Sequence, residues 1–363
     1  MPQSHSYATE STMAAPGGSL SLTPEPYTFA KIFVKHQIRP NPKPNLENNT
    51  VAGKTAVITG GNGGIGLECG RILLSLHLSH LILAVRTPEK GEEAAASLRK
   101  LYPKARIDVW QLDMDSYESI RAFAKKCATL PRLDMALLSA GIMNVDLQIN
   151  KSTGYEEMFQ VNYLSTALLG LLLLPILKRK TPSDSPGRLM LVASGAALIA
   201  EFSERNADPL LSAFGDEKGW NSSIAKKRYD TSKGLVLMLT LQLSQLTKAD
   251  DVIVNVVDPS FTPGTSFFRN LPLLMRAMAW PLTKALGTTV NNAAWRYVDG
   301  AVARGEESHG SLISDWEIHP YHPFMYTEEG KRFMDRLWKE SIEELDFPEV
   351  RDALVSLRAG SAS

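Results

Sequence analysis

Three observations predict a doubly wound parallel α/β sheet for this chain. Short apolar runs alternate with segments of helical length from Val51 to Ser314, as strands joined by crossover helices do. The first run, Thr55-Ala56-Val57-Ile58-Thr59, leads into Gly60-Gly61-Asn62-Gly63-Gly64-Ile65-Gly66 and a helix-like stretch through Leu76. Polar residues then recur just past the run ends, at Arg86, Asp113, Ser139, Ser194 and Asp258, where sheets of this kind hold their ligands.

Taken in order, Met1 to Glu25 is rich in Ser, Thr, Pro and Gly and has no apolar signal core, so a disordered tail is expected rather than a secretion signal. Tyr27 to Gln37 can form a short amphipathic helix that packs on the domain or touches a membrane, and Arg39 to Pro44 reads as an extended linker. Residues 1–50 are thus tail, helix and linker, 51–314 a single catalytic domain and 315–363 a helical extension. The glycines after the first strand let the backbone turn tightly and approach a pyrophosphate, while the helix behind them offers free N–H groups and partial positive charge. Later strands are expected at Leu81 to Val85, Ile107 to Leu112, Leu133 to Leu138, Leu189 to Ala193 and Val252 to Val257. Leu164 to Leu177 is very apolar, but it is short and interrupted by Pro175; it reads as a buried helix, not an integral membrane span. Ala200 to Ile224 is mixed and long, an elaborated loop with short helices. Phe267 to Leu286 is rich in Leu, Met and Phe, with Trp280, and is either a substrate wall, helix core or a homodimer face. Thr327 to Leu357 reads as helices closing over the substrate side or the sheet edge.

Composition narrows the function. The 39 Lys+Arg balance 39 Asp+Glu, leaving no basic excess to attract nucleic acid or an anionic membrane. With 44% hydrophobic residues, one large core can form. Cys69 and Cys127 suggest neither a disulfide framework nor a metal site. Glu317, His319 and His322 have ligand-like spacing, but Pro320 and Pro323 break the segment, so no metal centre is expected. A cytoplasmic protein acting on a small molecule fits these features.

The chemistry centres on Tyr229-Asp230-Thr231-Ser232-Lys233. Residues at i and i+4 share a helix face. A phenol that exchanges protons near neutrality needs its ordinary pKa of ~10 lowered by roughly 2 to 3 units, and a neighbouring ammonium acts in that direction. Tyr27 and Lys31 show the same spacing, so context has to decide between the pairs. Taken singly, Asn162 could cap the apolar helix behind it, Ser194 could be an ordinary small residue, Asp113 could pair with a surface cation and Arg86 could be a solvated charge.

Assembled, these residues resemble the short-chain dehydrogenase/reductase family across roughly Val51 to Ser314. Thr59, Gly60, Asn62, Gly64, Ile65 and Gly66 resemble its cofactor turn, and Asp113 its adenine contact. Ser139-Ala140-Gly141 resembles its turn after the fourth strand. Asn162, Ser194, Tyr229 and Lys233 match its catalytic types in order. The resemblance implies a Rossmann fold and hydride transfer between C4 of a nicotinamide and a carbonyl or alcohol carbon. It also implies that Tyr229 is the proton donor, that Ser194 bonds the substrate oxygen and that Asn162 supports a water relay. Lys233 would lower the tyrosine pKa and, with Tyr229, hold the nicotinamide ribose. Pro259, Thr262 and Thr265 would lie against the nicotinamide, and the substrate lid would fall at about 261–287. Val85 stands where an NAD enzyme places a carboxylate and Arg86 follows, which favours NADP (NADPH). The usual Pro-Gly after the sixth strand reads Pro259-Ser260, which would be strained if a positive φ is required. An apolar wall suggests a bulky hydrophobic substrate. Within the family the chain resembles reductases of fungal secondary metabolism, with retinol- or steroid-type dehydrogenases as rivals; a non-redox catalyst and a nucleotide sensor are the other readings.

Overall fold

The computed structural model describes residues 18–28, 44, 46, 51–178, 185–215, 218–263 and 287–359. The helix expected from Tyr27 lies outside these residues beyond Thr28, and so does most of the expected lid, with Thr265 and Trp280.

The strands form one eight-stranded sheet in the order β3-β2-β1-β4-β5-β6-β7-β8. They are β1 (Thr55–Thr59), β2 (His80–Val85), β3 (Arg106–Gln111), β4 (Met135–Leu138), β5 (Gly187–Val192), β6 (Val252–Val257), β7 (Ser311–Ser314) and β8 (Glu317–His319). Every pairing is parallel except the last. All five residues of β1 and all six of β6 are buried, because a parallel strand is covered by helices on both faces and reads as a continuous apolar run. The chain leaves β1 towards β2 on one side and returns to β4 on the other. That reversal opens a crevice at the carboxyl ends of β1 and β4, where such sheets bind their ligands.

Alternate residues of each strand point into two separate cores. On one face Ile58, Leu83 and Leu137 pack with α1 (Gly64–Ser75), α2 (Pro88–Leu101) and residues later in the chain such as Ala294 and Tyr297. On the other, Val57, Ile82 and Ala136 meet α3 (Tyr117–Cys127), α4 (Glu157–Leu177) and α5 (Ser222–Ser244). Of the described helices, α4 is long and apolar enough to cross a membrane, but 94% of its apolar window is buried inside the fold, as befits a core helix. The remaining α-helices among the described residues are α6 (Val290–Val298), α7 (Glu328–Glu344) and α8 (Pro348–Ala359).

Three expectations are corrected. The sheet continues past Ser314, because β7 turns back into β8. Part of the tail read as disordered is docked: Ser19 is fully buried, donates its N–H to Ser311 Oγ and its hydroxyl to the His319 carbonyl, and accepts from the Leu312 N–H. Finally, of the two places expected for the C-terminal helices, the substrate side or the sheet edge, α8 takes neither and covers the helical layer. Val350, Leu354 and Leu357 are buried in the same core as α4, and Arg121 of α3 pairs with Glu349 while stacking on Phe347.

Candidate active site

The turn after β1 is built for a close approach of backbone and ligand. Gly60 sits at φ +67, with its N–H bonded to the Ala84 carbonyl at 2.9 Å. A Cβ on Gly66 would stand 3.0 Å from the Gly60 oxygen, so the helix can follow the turn this tightly only with glycine there. No side chain caps α1, which leaves its first N–H groups directed at the crevice. Asn62, Gly64 and Ile65 lie partly exposed on this turn. The cradle fits the diphosphate of a dinucleotide.

The Ser139-Ala140-Gly141 turn adjoins it. Thr59 Oγ1 accepts the Ala140 N–H at 2.8 Å, and Ser139 Oγ donates to the Tyr297 hydroxyl at 3.3 Å. A Cβ on Gly141 would lie 3.1 Å from Asn162 Oδ1 and 3.2 Å from Lys233 Nζ. The bare glycine therefore lets both side chains reach the turn.

Asn162 is not a helix cap. It lies within a π-turn of α4, Gln160–Leu164, an irregularity frequent at functional sites. Its Oδ1 accepts the Ile142 N–H at 2.9 Å, and its Nδ2 donates to the Ile142 carbonyl and to Ser232 Oγ, both at 3.0 Å. Ser232 in turn donates to the Tyr229 carbonyl at 2.8 Å. Asn162, the β4 loop and the helix bearing Tyr229 are thus tied together.

Ser194 follows β5 directly, accepts the Ala196 N–H at 3.3 Å and is hydrogen-bonded with Tyr229. Lys233 is buried and donates to the Val192 carbonyl at 3.0 Å. Burial raises the Tyr229 pKa above its ordinary value; the bond with Ser194 opposes the rise, while Asp230 and Asp258 add to it. Burial also pushes Lys233 down to about 8, against the pull of Asp258. In this structure burial dominates at the phenol, and the ammonium that was expected to lower its pKa is itself desolvated and bonded to a carbonyl.

At the far end of the crevice, Arg86 is exposed just past β2, and its charge opposes the rise that burial imposes on Asp115 and Glu157. Asp113 is half-buried and accepts the Asp115 N–H at 3.1 Å. After β6, Asp258 Oδ1 accepts the Ser260 N–H, and Ser314 Oγ donates to Asp258 Oδ2. Ser260 does adopt φ +67. Pro259 and Thr262 flank it, with Thr262 Oγ1 bonded to the Ser260 carbonyl at 3.1 Å.

The fold therefore gathers the cradle residues and Ser139 to Gly141 with Asn162, Ser194, Tyr229 and Lys233, and sets Arg86 and Asp113 at the strand ends beyond. Sequence reasoning missed Thr59's bond to the turn, Ser232 and Tyr297, and it marked Asp258 only as a polar residue past a strand end. Ser232 stands inside the Tyr229 to Lys233 pentapeptide, one residue before the lysine, and was the one open to discovery.

A doubly wound sheet carrying a dinucleotide cradle beside a buried tyrosine and lysine defines a nucleotide-dependent oxidoreductase. The chain belongs to the short chain dehydrogenase family, acting on CH–OH or C=O groups with a nicotinamide cofactor. The short chain dehydrogenase family model matches residues 54–204. The chain is 44% identical over 331 residues to the short chain dehydrogenase/reductase mfmJ of Annulohypoxylon moriforme, covering 91% of this chain and 95% of that protein. It is 42% identical over 306 residues to the short chain dehydrogenase virL of Hypocrea virens, covering 84% and 89%. Among solved structures, the fold matches the RhlG/NADP active-site complex of Pseudomonas aeruginosa with a TM-score of 0.55 at 21% identity, covering 78% of this chain and 100% of the other. It also matches a short-chain type dehydrogenase/reductase of Mycobacterium marinum with a TM-score of 0.56 at 18% identity, covering 77% and 97%.

Proposed function

We propose that this enzyme is an NADPH-dependent reductase of a carbonyl on a bulky apolar small molecule, working in a biosynthetic step of fungal secondary metabolism. The observation that carries the catalytic reading is the Ser194 and Tyr229 hydroxyl pair, hydrogen-bonded at the end of β5 with Lys233 and Asn162 beside it. Gly60 to Gly66 would hold the cofactor diphosphate, Asp113 and Ser139 to Gly141 its adenosine half, and Tyr229, Lys233, Pro259 and Thr262 its nicotinamide half. When bound, the reduced cofactor supplies a hydride to the carbonyl carbon. Ser194 holds the substrate oxygen in reach of Tyr229, whose proton neutralises the alkoxide as it forms. A protonated phenol is the state that donates to the forming alkoxide. Lys233 and Asn162 position these groups, and Asn162 would support a water relay to solvent.

Support for NADPH comes from the end of β2, where buried Val85 stands in place of a carboxylate and exposed Arg86 follows. An arginine there accommodates a ribose 2′-phosphate. The test follows loss of reduced-nicotinamide absorbance across bulky ketones, aldehydes and quinones, with NADPH and NADH and with Tyr229→Phe in parallel. We expect turnover that prefers NADPH and falls by roughly a thousandfold or more in Tyr229→Phe while cofactor binding persists. Undiminished turnover in that variant sinks the catalytic assignment, and equal rates with both cofactors sink the NADPH preference.

A further inference from the structure

We propose that Trp220, with Ile142, Met143 and Ala196, forms the wall that selects the substrate of this reaction, and that it selects a flat apolar ring next to the reacting carbonyl. The inference rests on the reductase reading above. Apart from the two cores beneath the sheet faces, a third apolar cluster buries Met158, Ala225 and Tyr229, and these four side chains pack against it while remaining partly exposed. Apolar side chains that keep some exposure thus pack into the cluster that contains Tyr229, one of the two hydroxyl-bearing residues that have to meet the substrate. Trp220 is also held in a fixed orientation, because its indole N–H donates to the Val145 carbonyl at 2.8 Å. That bond fastens the ring to the loop after β4, which supplies Ile142 and Met143.

A simpler role exists for Trp220. It precedes Asn221, whose side chain caps Ser223 and Ile224 at the start of α5, and it shares a cluster with Ala225, as a hydrophobic staple would. A staple explains the contact with Ala225. It explains neither the bond to Val145 nor the packing of Met143 and Ala196, from two other segments, against the cluster that contains Tyr229. An indole face and a thioether both favour aromatic surface, so the ligand class is a flat aromatic or quinonoid carbonyl.

The experiment compares wild type, Trp220→Ala and Trp220→Phe on two probes, phenanthrenequinone as the flat tricyclic carbonyl and diacetyl as the small one. Melting temperature and NADPH binding are measured for each variant. We expect Trp220→Ala to lower kcat/KM for phenanthrenequinone by roughly tenfold or more and to change diacetyl by less than about threefold, with Trp220→Phe keeping most of the flat-ring preference. Equal losses on both probes, tracking a lower melting temperature, would identify a staple and overturn the proposal, as would no change on either. If wild type reduces neither probe, equilibrium binding of phenanthrenequinone to the NADP+ complex decides. Binding weakened by Trp220→Ala leaves the wall standing, with the reductase reading judged separately by the turnover panel and Tyr229→Phe; binding indifferent to Trp220→Ala removes the wall itself.

Discussion

At the scale of single residues, the site is governed by how burial is compensated. Lys233 lies in a desolvated position that pushes it down to about 8, and Asp258 is the group that resists. A lysine acts as a cation below its pKa, so a reaction that needs the ammonium loses rate as pH rises past that value. Asp258→Asn keeps the carbonyl oxygen that accepts from the Ser260 N–H and removes the charge. The alkaline limb of the kcat/KM profile for NADPH should then move to lower pH, by roughly 1 unit; an unmoved limb would show that Lys233 does not set it. Ser260 gives a second prediction. Its φ of +67 is costly for a residue with a Cβ, and its hydroxyl is buried with no hydrogen-bond partner among the described residues. Ser260→Gly should stabilise the protein by about 1 kcal/mol in urea unfolding, and a loss of stability would point to a hidden role for the hydroxyl. The strain at Ser260 was legible as a departure from an expected glycine. The chemical residues were legible as well, because each stands at a strand end or at helical spacing. The pKa of Tyr229 was not, since burial is set by groups distant in sequence.

At the scale of elements, legibility followed hydrophobic pattern. Central strands such as β1 and β6 are predominantly apolar runs, and their expected limits agree with the observed ones. The strand β8 escaped notice because it is only three residues long and is reached through Asp315 and Trp316, both at positive φ (53 and 68). A two-residue turn of that conformation is usually announced by Asn-Gly or Asp-Gly, and here neither is present. The docking of Ser19 was invisible for a related reason, since it rests on hydrogen bonds to a sheet edge and not on an apolar stripe. The segment 200–214 carries the short helices expected of it and is docked as a strap: Phe202 packs on Phe324 and Phe333, and Glu340 accepts the N–H groups of Leu210 and Leu211 at 3.0 and 2.9 Å. Glu340→Ala leaves both N–H groups unmatched and should cost about 1–3 kcal/mol in urea unfolding. Replacement by Gln, which retains one acceptor, should recover part of that loss; equal costs for the two variants would show that the bonds to the strap contribute nothing.

At the scale of the whole molecule, the central question is what covers α4. A helix apolar on every side must be enclosed, and nearly all of its residues from Ser165 to Leu177 are buried. The sheet, α3 and α5 enclose part of it, and α8 supplies the rest through Val350, Leu354 and Leu357. α8 therefore packs into the same core as the sheet and α4, which residue pattern alone could not show because the expected boundary fell at Ser314. Truncation after Asp346 removes α8 and its ion pair with Arg121. The truncated chain should lose solubility or melt at least several degrees lower. Because truncation can also fail for reasons of expression, Leu354→Ala and Leu357→Ala provide the finer test, each expected to cost about 2–5 kcal/mol if the site cannot collapse. A domain of independent stability with a loosely attached tail would give two unfolding transitions, the first sensitive to these substitutions and the second indifferent. A single cooperative transition that shifts with either leucine, read by calorimetry and by NADPH binding on the same sample, is the expected result. It would mean that the tail and the site at the carboxyl ends of the strands share one folding unit, so damage to α8 would abolish cofactor binding at the same temperature at which it unfolds the helices.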